Sequence, residues 1–160
     1  KKKGFNELLD SFKSFSTTNP DWKLIIVGNG PLRYLIPKTN TIKYYKFSTP
    51  KQIASFMQKS KFLVLPSHED HWPLVVNEAT LCGCGLILSN IVGNRSEFSN
   101  KKNSIICKSS SSKALLKALI KGSKLPNRKL DIMYRESIRL GLKFTISNWK
   151  NIYHKILNNN

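Results

Sequence analysis

The sequence predicts an α/β protein: a doubly wound parallel sheet carrying helices on both sides, in three α/β/α layers. Two observations carry this reading. Short unbroken apolar runs such as Leu24-Ile25-Ile26-Val27 and Phe62-Leu63-Val64-Leu65 have the character of strands buried on both faces of a parallel sheet. Between them lie segments whose apolar residues recur at helical spacing, so strand and helix alternate.

Phe5, Leu8, Leu9, Phe12 and Phe15 predict an amphipathic helix over about residues 4–16, broken by Asn19-Pro20-Asp21. The strand at 24–27 ends in the tight turn Gly28-Asn29-Gly30-Pro31, and a second strand is expected at 42–45. A helix over about 50–59 follows, capped by Ser48 or Thr49 with Pro50 in its first turn. After the strand at 62–65 a helix over about 74–82 opens near Pro73 and stops at Gly83-Cys84-Gly85, leading into a buried strand at 86–88. Residues 89–103 read as polar loop, 105–107 as a short strand, and 109–112 as a loop opening a helix with Ala114, Leu115, Ala118 and Leu119 on one face. Two more helical patterns cover about 128–140 and 145–157.

One domain with a continuous core fits 160 residues, and two would be crowded. Hydrophobic content of 40% with 22% charged residues excludes a disordered chain, and no apolar run reaches the roughly 20 residues a membrane helix needs. Opening on Lys1-Lys2-Lys3-Gly4, the chain reads as a fragment of something longer. Twenty-seven basic against nine acidic side chains leave +18, a field that draws anions without choosing among nucleotides, nucleic acid and acidic lipid. Cys82, Cys84 and Cys107 are too few and too closely set for a four-ligand zinc site and read as small buried residues of a reducing compartment. His68 and His71 have no carboxylate cage around them, so no metal and no other cofactor is expected.

The chemistry concentrates between the strand at 62–65 and the helix at 74–82. Asp70 and Glu78 stand eight positions apart and bracket the loop and the first helical turn. Free N–H groups at a helix start attract phosphate, Glu78 one turn in can accept from a vicinal diol, and Asp70 can do the same for a second set of hydroxyls. In a doubly wound sheet such loops lie at the carboxyl ends of the strands, so the turn at Gly28 and Gly30 should share an edge with them.

Five local patterns add up to a family resemblance. They are Lys3-Gly4 followed by Leu8-Leu9; Ile26-Val27-Gly28-Asn29-Gly30-Pro31; Leu65-Pro66-Ser67; Glu78-Ala79 followed by Gly83; and Ser89 with Val92-Gly93 and Glu97. In that order and spacing the chain resembles the carboxyl-terminal, nucleotide-sugar-binding half of a retaining glycosyltransferase of family 4, nearly end to end. The resemblance implies a Rossmann-like domain that is one half of a GT-B fold, with the other half supplied by an amino-terminal domain toward which the helices over about 128–158 would pack. It implies that Asp70 meets the sugar hydroxyls of a nucleotide-diphosphate sugar, that Glu78 meets the ribose, and that the N–H groups of Leu74 and Val75 hold the diphosphate while their side chains pack into the core. Lys3 matches a lysine facing the diphosphate, His71 and Trp72 occupy the sugar-facing turn, and Gly28 and Gly30 let the backbone turn tightly and approach the ligand. Asp70 departs from the family's glutamate by one methylene, Glu69 fits that position less well, and Asn94 replaces a glycine.

The expected activity is transfer of a hexose, with retention, to a carbohydrate or lipid-linked acceptor held by the amino-terminal domain, in the cytoplasm and in cell-envelope polysaccharide biosynthesis. Peripheral contact with the inner face of an anionic membrane agrees with the charge. The rival readings are a noncatalytic nucleotide-sugar-binding relative and a basic nucleic-acid-binding module. For the second no aromatic RNA motif or helix-turn-helix spacing is present, so nucleic acid is not an expected partner.

Overall fold

A computed structural model describes residues 2–108 and 111–148. The elements in chain order are α1 (Phe5–Thr18), β1 (Leu24–Val27), β2 (Ile42–Tyr45), α2 (Pro50–Gln58), β3 (Phe62–Leu65), α3 (Leu74–Leu81), β4 (Gly85–Ser89), α4 (Arg95–Phe98), β5 (Ser104–Cys107), α5 (Ser112–Ser123) and α6 (Asn127–Gly141). Single 3₁₀ turns occupy Arg33–Leu35 and Leu142–Phe144. Every ladder is parallel: β1 pairs with β2, β3 with β4, and β4 with β5. The hydrogen bonds divide the strands into a two-stranded and a three-stranded sheet.

The period-2 alternation of β3 and β4 sorts the interior into two layers. Leu63, Leu65, Leu86 and Leu88 point toward Val76 and Ala79 of α3 and toward Phe98. Phe62, Val64 and Ile87 point the other way, onto Phe12 and Phe15 of α1 and Leu115, Ala118 and Leu119 of α5. Helices α1 and α5 pack together on that side and α3 and α6 on the other, which is the three-layer arrangement read from the sequence. Each fully buried Leu or Phe contributes about 1.5–3 kcal/mol of transfer free energy. The smaller sheet joins the same interior through Leu24 and Ile42, and Trp22 just ahead of β1 stacks on Phe62 with ring centroids 6.2 Å apart.

Local chemistry explains the helix ends. Thr49 caps α2 with a reciprocal capping box to Gln52, deciding between the two caps read from the sequence. Ser111 caps α5 by accepting from the Ala114 N–H. Helix α1 runs to Thr18, past the expected end near 16; the Ser14, Thr17 and Thr18 hydroxyls donate to carbonyls within it, and Asn19 Nδ2 donates to the Phe15 carbonyl at its end. Pro73 is extended and stands just ahead of the first helical residue, Leu74.

The stretch 89–103 is not all loop. Ser89 closes β4 and residues 95–98 form α4, a turn too short for helical periodicity to register but anchored by the buried Phe98. The helix expected over 145–157 lies mostly outside the described residues. No helix among the described residues is long and apolar enough to cross a membrane.

Candidate functional site

The loop from Pro66 to Pro73 is held on two sides. On one side residues 2–7 lie across it: the His68 and Glu69 N–H groups donate to the Lys2 carbonyl at 2.8 and 3.3 Å, and His68 Nε2 meets Glu7 Oε1 at 2.8 Å. Gly4 fits there because its φ is +66° and any Cβ would collide with the Pro66 carbonyl oxygen. On the other side the β4–α4 loop is joined to it. Asp70 and Val92 form an isolated parallel bridge, Gly93 N–H donates to the Asp70 carbonyl at 2.8 Å, and Ser89 Oγ donates to the Ser67 carbonyl at 2.6 Å. Asn94 is fully buried and its Nδ2 donates to the Pro73 carbonyl at 3.1 Å.

Within this clamp Asp70 has a side chain only 10% exposed. Its Oδ2 accepts from Lys3 Nζ at 2.5 Å and from Ser67 Oγ at 3.3 Å. Glu69 points outward and pairs with Lys2 at 2.9 Å; the Lys2 ammonium, by hydrogen bond and by charge, holds the Glu69 carboxyl below the usual carboxylate range. The structure therefore separates the two neighbouring acids, drawing Asp70 inward and leaving Glu69 in solvent. His71 is exposed, its Nε2 3.9 Å from Glu69 Oε1. Trp72 is half-exposed and sets its ring edge against Phe98, centroids 6.3 Å apart.

Two N–H groups at the start of α3 are open. Val76 N–H reaches the Pro73 carbonyl at 3.1 Å, while Leu74 and Val75 donate to no acceptor among the described residues, as the first turn of a helix requires. The expectation that both side chains pack into the core holds only for Val75, which lies against the α3 side of the interior. Leu74 is 67% exposed and lies outside the cluster that α3 builds with β3 and β4. Glu78 is exposed on α3 and has no ion-pair partner among the described residues. Among the described residues hydrogen bonds join Lys3 and Ser67 to Asp70, and neither a hydrogen bond nor an ion pair joins Asp70 to Glu78.

The turn after β1 also differs from expectation at one position. Gly28 has φ +135°, a conformation essentially reserved for glycine. Gly30 has no such φ, and a Cβ there would meet nothing within 4 Å, so the tight turn does not need it. Asn94 likewise takes φ −86° without strain, so the glycine it replaces is not required for this path. Its Oδ1 is buried and has no hydrogen-bond partner among the described residues.

The cysteines stand apart from this chemistry. Burial pushes the Cys84 thiol up to about 12 and raises Cys107; burial and the Glu78 charge raise Cys82. All three are free thiols. Among the described residues no group of three or more His, Cys, Asp or Glu side chains is placed to hold a metal ion.

A parallel α/β domain with a nearly buried carboxylate ahead of an open helix start fits many ligands, and comparison with known proteins narrows it. The sequence profile of the glycosyl transferases group 1 matches residues 1–138. The chain belongs to this family. It is 27% identical over 172 aligned residues to an uncharacterized glycosyltransferase of Haemophilus influenzae, covering 94% of this chain and 45% of that protein. Among solved structures it is similar to the pneumococcal O-GlcNAc transferase in complex with UDP and GlcNAc, with a TM-score of 0.79 at 16% identity over 98% of this chain and 34% of that one. An Anabaena protein, HepE, in complex with UDP-glucose gives 0.77 at 17% identity, over 99% and 46%. A trehalose-6-phosphate synthase from Burkholderia multivorans gives 0.72 at 15%, over 99% and 40%. These likenesses establish a GT-B-like fold for this group 1 domain, and the chain spans less than half the length of the relatives named.

Sequence reasoning missed four contributors to the site: the Lys2 carbonyl, Glu7, Ser67 and Ser89. Ser67 was visible only as part of Leu65-Pro66-Ser67, and Ser89 only as the start of a loop and as part of the pattern with Val92-Gly93 and Glu97. Glu7 had no signal beyond being an acid in the first turn of α1.

Proposed function

We propose that this group 1 domain is the donor-binding half of a two-domain glycosyltransferase that moves a hexose from a nucleotide-diphosphate sugar to a carbohydrate or lipid-linked acceptor, with retention at the anomeric carbon. The observation that carries the reading is the inward carboxylate of Asp70, gripped by Lys3 and Ser67 directly ahead of the open Leu74 and Val75 N–H groups. The UDP-containing complexes of two structural relatives support a nucleotide-sugar donor.

In this reading the diphosphate sits at the start of α3, where N–H dipoles meet it. Lys3 exchanges Asp70 for phosphate oxygen, and the freed Asp70 carboxylate accepts from sugar hydroxyls beside His71 and Trp72. Glu78 accepts from the ribose diol, and Gly28 and Gly30 leave room for the ligand. As the bond between the anomeric carbon and the diphosphate oxygen breaks, the electron pair goes to the diphosphate, whose growing charge the N–H groups and Lys3 stabilise. The acceptor hydroxyl oxygen, held by the amino-terminal domain, forms the new bond to the anomeric carbon, and its proton passes to the departing diphosphate. No metal takes part, so chelator leaves transfer unchanged. The enzyme works in the cytoplasm on cell-envelope polysaccharide, with basic side chains resting on an anionic membrane surface.

Calorimetric titration with UDP-, GDP- and ADP-sugars tests this. One of them should bind the wild-type domain, and Asp70→Asn and Glu78→Ala should weaken it. Absence of binding by all three, together with no transfer by the full-length protein, would overturn the reading. A noncatalytic relative is the second reading, favoured by the already neutralised Asp70; transfer by the full-length protein that Glu78→Ala abolishes would exclude it.

A further inference from the structure

The last strand, β5, has one paired and one open side. Leu86 and Asn90 N–H donate to the Asn103 and Cys107 carbonyls, so the odd-numbered residues of β5 face β4. N–H and C=O of one residue point to the same side of a strand, which turns Ser104 and Ile106 outward. The Ser104 N–H is taken by the Asn100 carbonyl at 3.1 Å, while the Ile106 N–H and C=O have no partner among the described residues. Ile106 is also 39% exposed.

Beside that open side runs a groove of about 410 Å³ between β5 and α5, lined by Ala114 and Ala118 and by four exposed lysines, Lys108, Lys113, Lys117 and Lys121. Among the described residues no carboxylate lines it, and none of the four ammonium groups has an ion-pair partner. No residue assigned to the donor lines it either. Exposed sheet edges commonly carry lysine to discourage pairing. Here β5 itself is Ser-Ile-Ile-Cys, without charge or proline, and the cations stand just past its end and on the helix alongside. Such an arrangement repels a basic strand and favours an acidic one.

The spacing of the cations fits one backbone conformation. Lys113, Lys117 and Lys121 stand one above another on α5 at steps of about 6 Å. Side chains on one face of an extended chain repeat at about 6.6 Å. Helix α5 packs back on β5, so the row of lysines follows the strand. We propose that β5 is the docking edge for an extended acidic segment of a partner protein, which adds as a further strand beside Ile106 and sets alternate carboxylates against Lys113, Lys117 and Lys121. A second copy of this chain is a poor occupant, since each copy brings +18 and the same lysines to the seam. A flat anionic bilayer or a nucleic acid meets the lysines but supplies no strand to Ile106. The docking edge is independent of the donor reading.

NMR titration of the full-length protein with a short peptide of alternating glutamate and threonine tests this. Shifts should centre on β5 and α5, and the Ile106 amide should exchange roughly tenfold or more slowly in the complex. Only every second residue of an added strand faces β5. N-methylation of one alternating set, all glutamates or all threonines, should therefore abolish binding, and N-methylation of the other should spare it, although both peptides keep every charge. Lys117→Glu combined with Lys121→Glu should weaken binding about tenfold or more. Absence of shifts at β5, or indifference to both N-methylations, overturns the proposal. Oligothymidylate or phosphatidylglycerol vesicles shifting the same amides as strongly as the peptide would make the groove a general anion patch and overturn it as well. Protection of Ile106 that rises with protein concentration alongside a dimer mass would give the edge to a second copy, with the same result.

Discussion

Lys3 and Asp70 form an ion pair across 67 positions of sequence, ammonium to carboxylate oxygen at 2.5 Å, with the lysine exposed and the aspartate nearly buried. The pair ties the segment before α1 to the loop before α3. In the donor complex proposed above, Lys3 would meet the diphosphate and Asp70 the adjoining sugar, so donor binding would open the pair.

Lys3→Ala should therefore weaken nucleotide-sugar binding by about tenfold, the scale of one charge-assisted hydrogen bond net of the lost pair. Asp70→Asn should weaken it as well, and Asp70→Glu should retain binding because the carboxylate is kept. Calorimetry beside thermal melts separates binding from folding, and unchanged affinity in Lys3→Ala would remove the lysine from the site.

Glu78 is exposed and has no ion-pair partner among the described residues, so Glu78→Ala should change stability by no more than about 0.5 kcal/mol. If it accepts from a ribose diol, the same variant should lose roughly 10- to 100-fold in donor affinity. The 2′-deoxy donor should show little further loss in that variant. Full sensitivity to the 2′-hydroxyl in Glu78→Ala would place the ribose elsewhere.

The two glycines after β1 should part company on substitution. Gly28→Ala forces a φ of +135° on a residue with a Cβ and should cost about 1–3 kcal/mol in denaturant melts. Gly30→Ala should be neutral in stability, since its Cβ enters open space. If the donor passes close to Gly30, that variant should lose affinity while keeping its melting temperature.

Glu136 gives the fold an acid-sensitive anchor. The Arg139 guanidinium donates to it at 2.8 and 2.7 Å, and with the Asn100 amide it lowers the carboxyl to about 2. A carboxyl lowered on folding stabilises the native state above its ordinary range near 4.5, and that contribution disappears as pH falls toward 2. Glu136→Gln should cost roughly 1 kcal/mol at pH 7, because the pair is partly solvated, and should flatten the loss between pH 4.5 and 2. Urea melts at pH 7, 4 and 3 read both effects; an equal loss in wild type and variant on acidification would assign the acid limb to other carboxylates.

Much of this was legible in the residues. The apolar runs at 24–27 and 62–65 marked strands because they are short, unbroken and rich in β-formers, although the structure leaves both half-buried where burial on both faces was expected and reserves full burial for β4. Thr49 and Pro50 marked a helix start because a cap is written in adjacent residues. Residues 95–98 escaped because one turn carries no period, and Leu74 was placed in the core because an apolar residue at a helix start does not reveal which way it projects.

By itself the sequence determined the order of strands and helices, the turn at Gly28, and the position of Asp70 and Glu78 around a helix start, since each depends on neighbours a few residues apart. Only the tertiary structure decided that Asp70 turns inward to Lys3 and Ser67 while Glu69 and Glu78 stay in solvent, that Ser89 holds the loop, and that the ladder divides between β1 and β3. Those outcomes depend on which surfaces meet when segments tens of residues apart pack against one core, and local chemistry carries no record of that meeting.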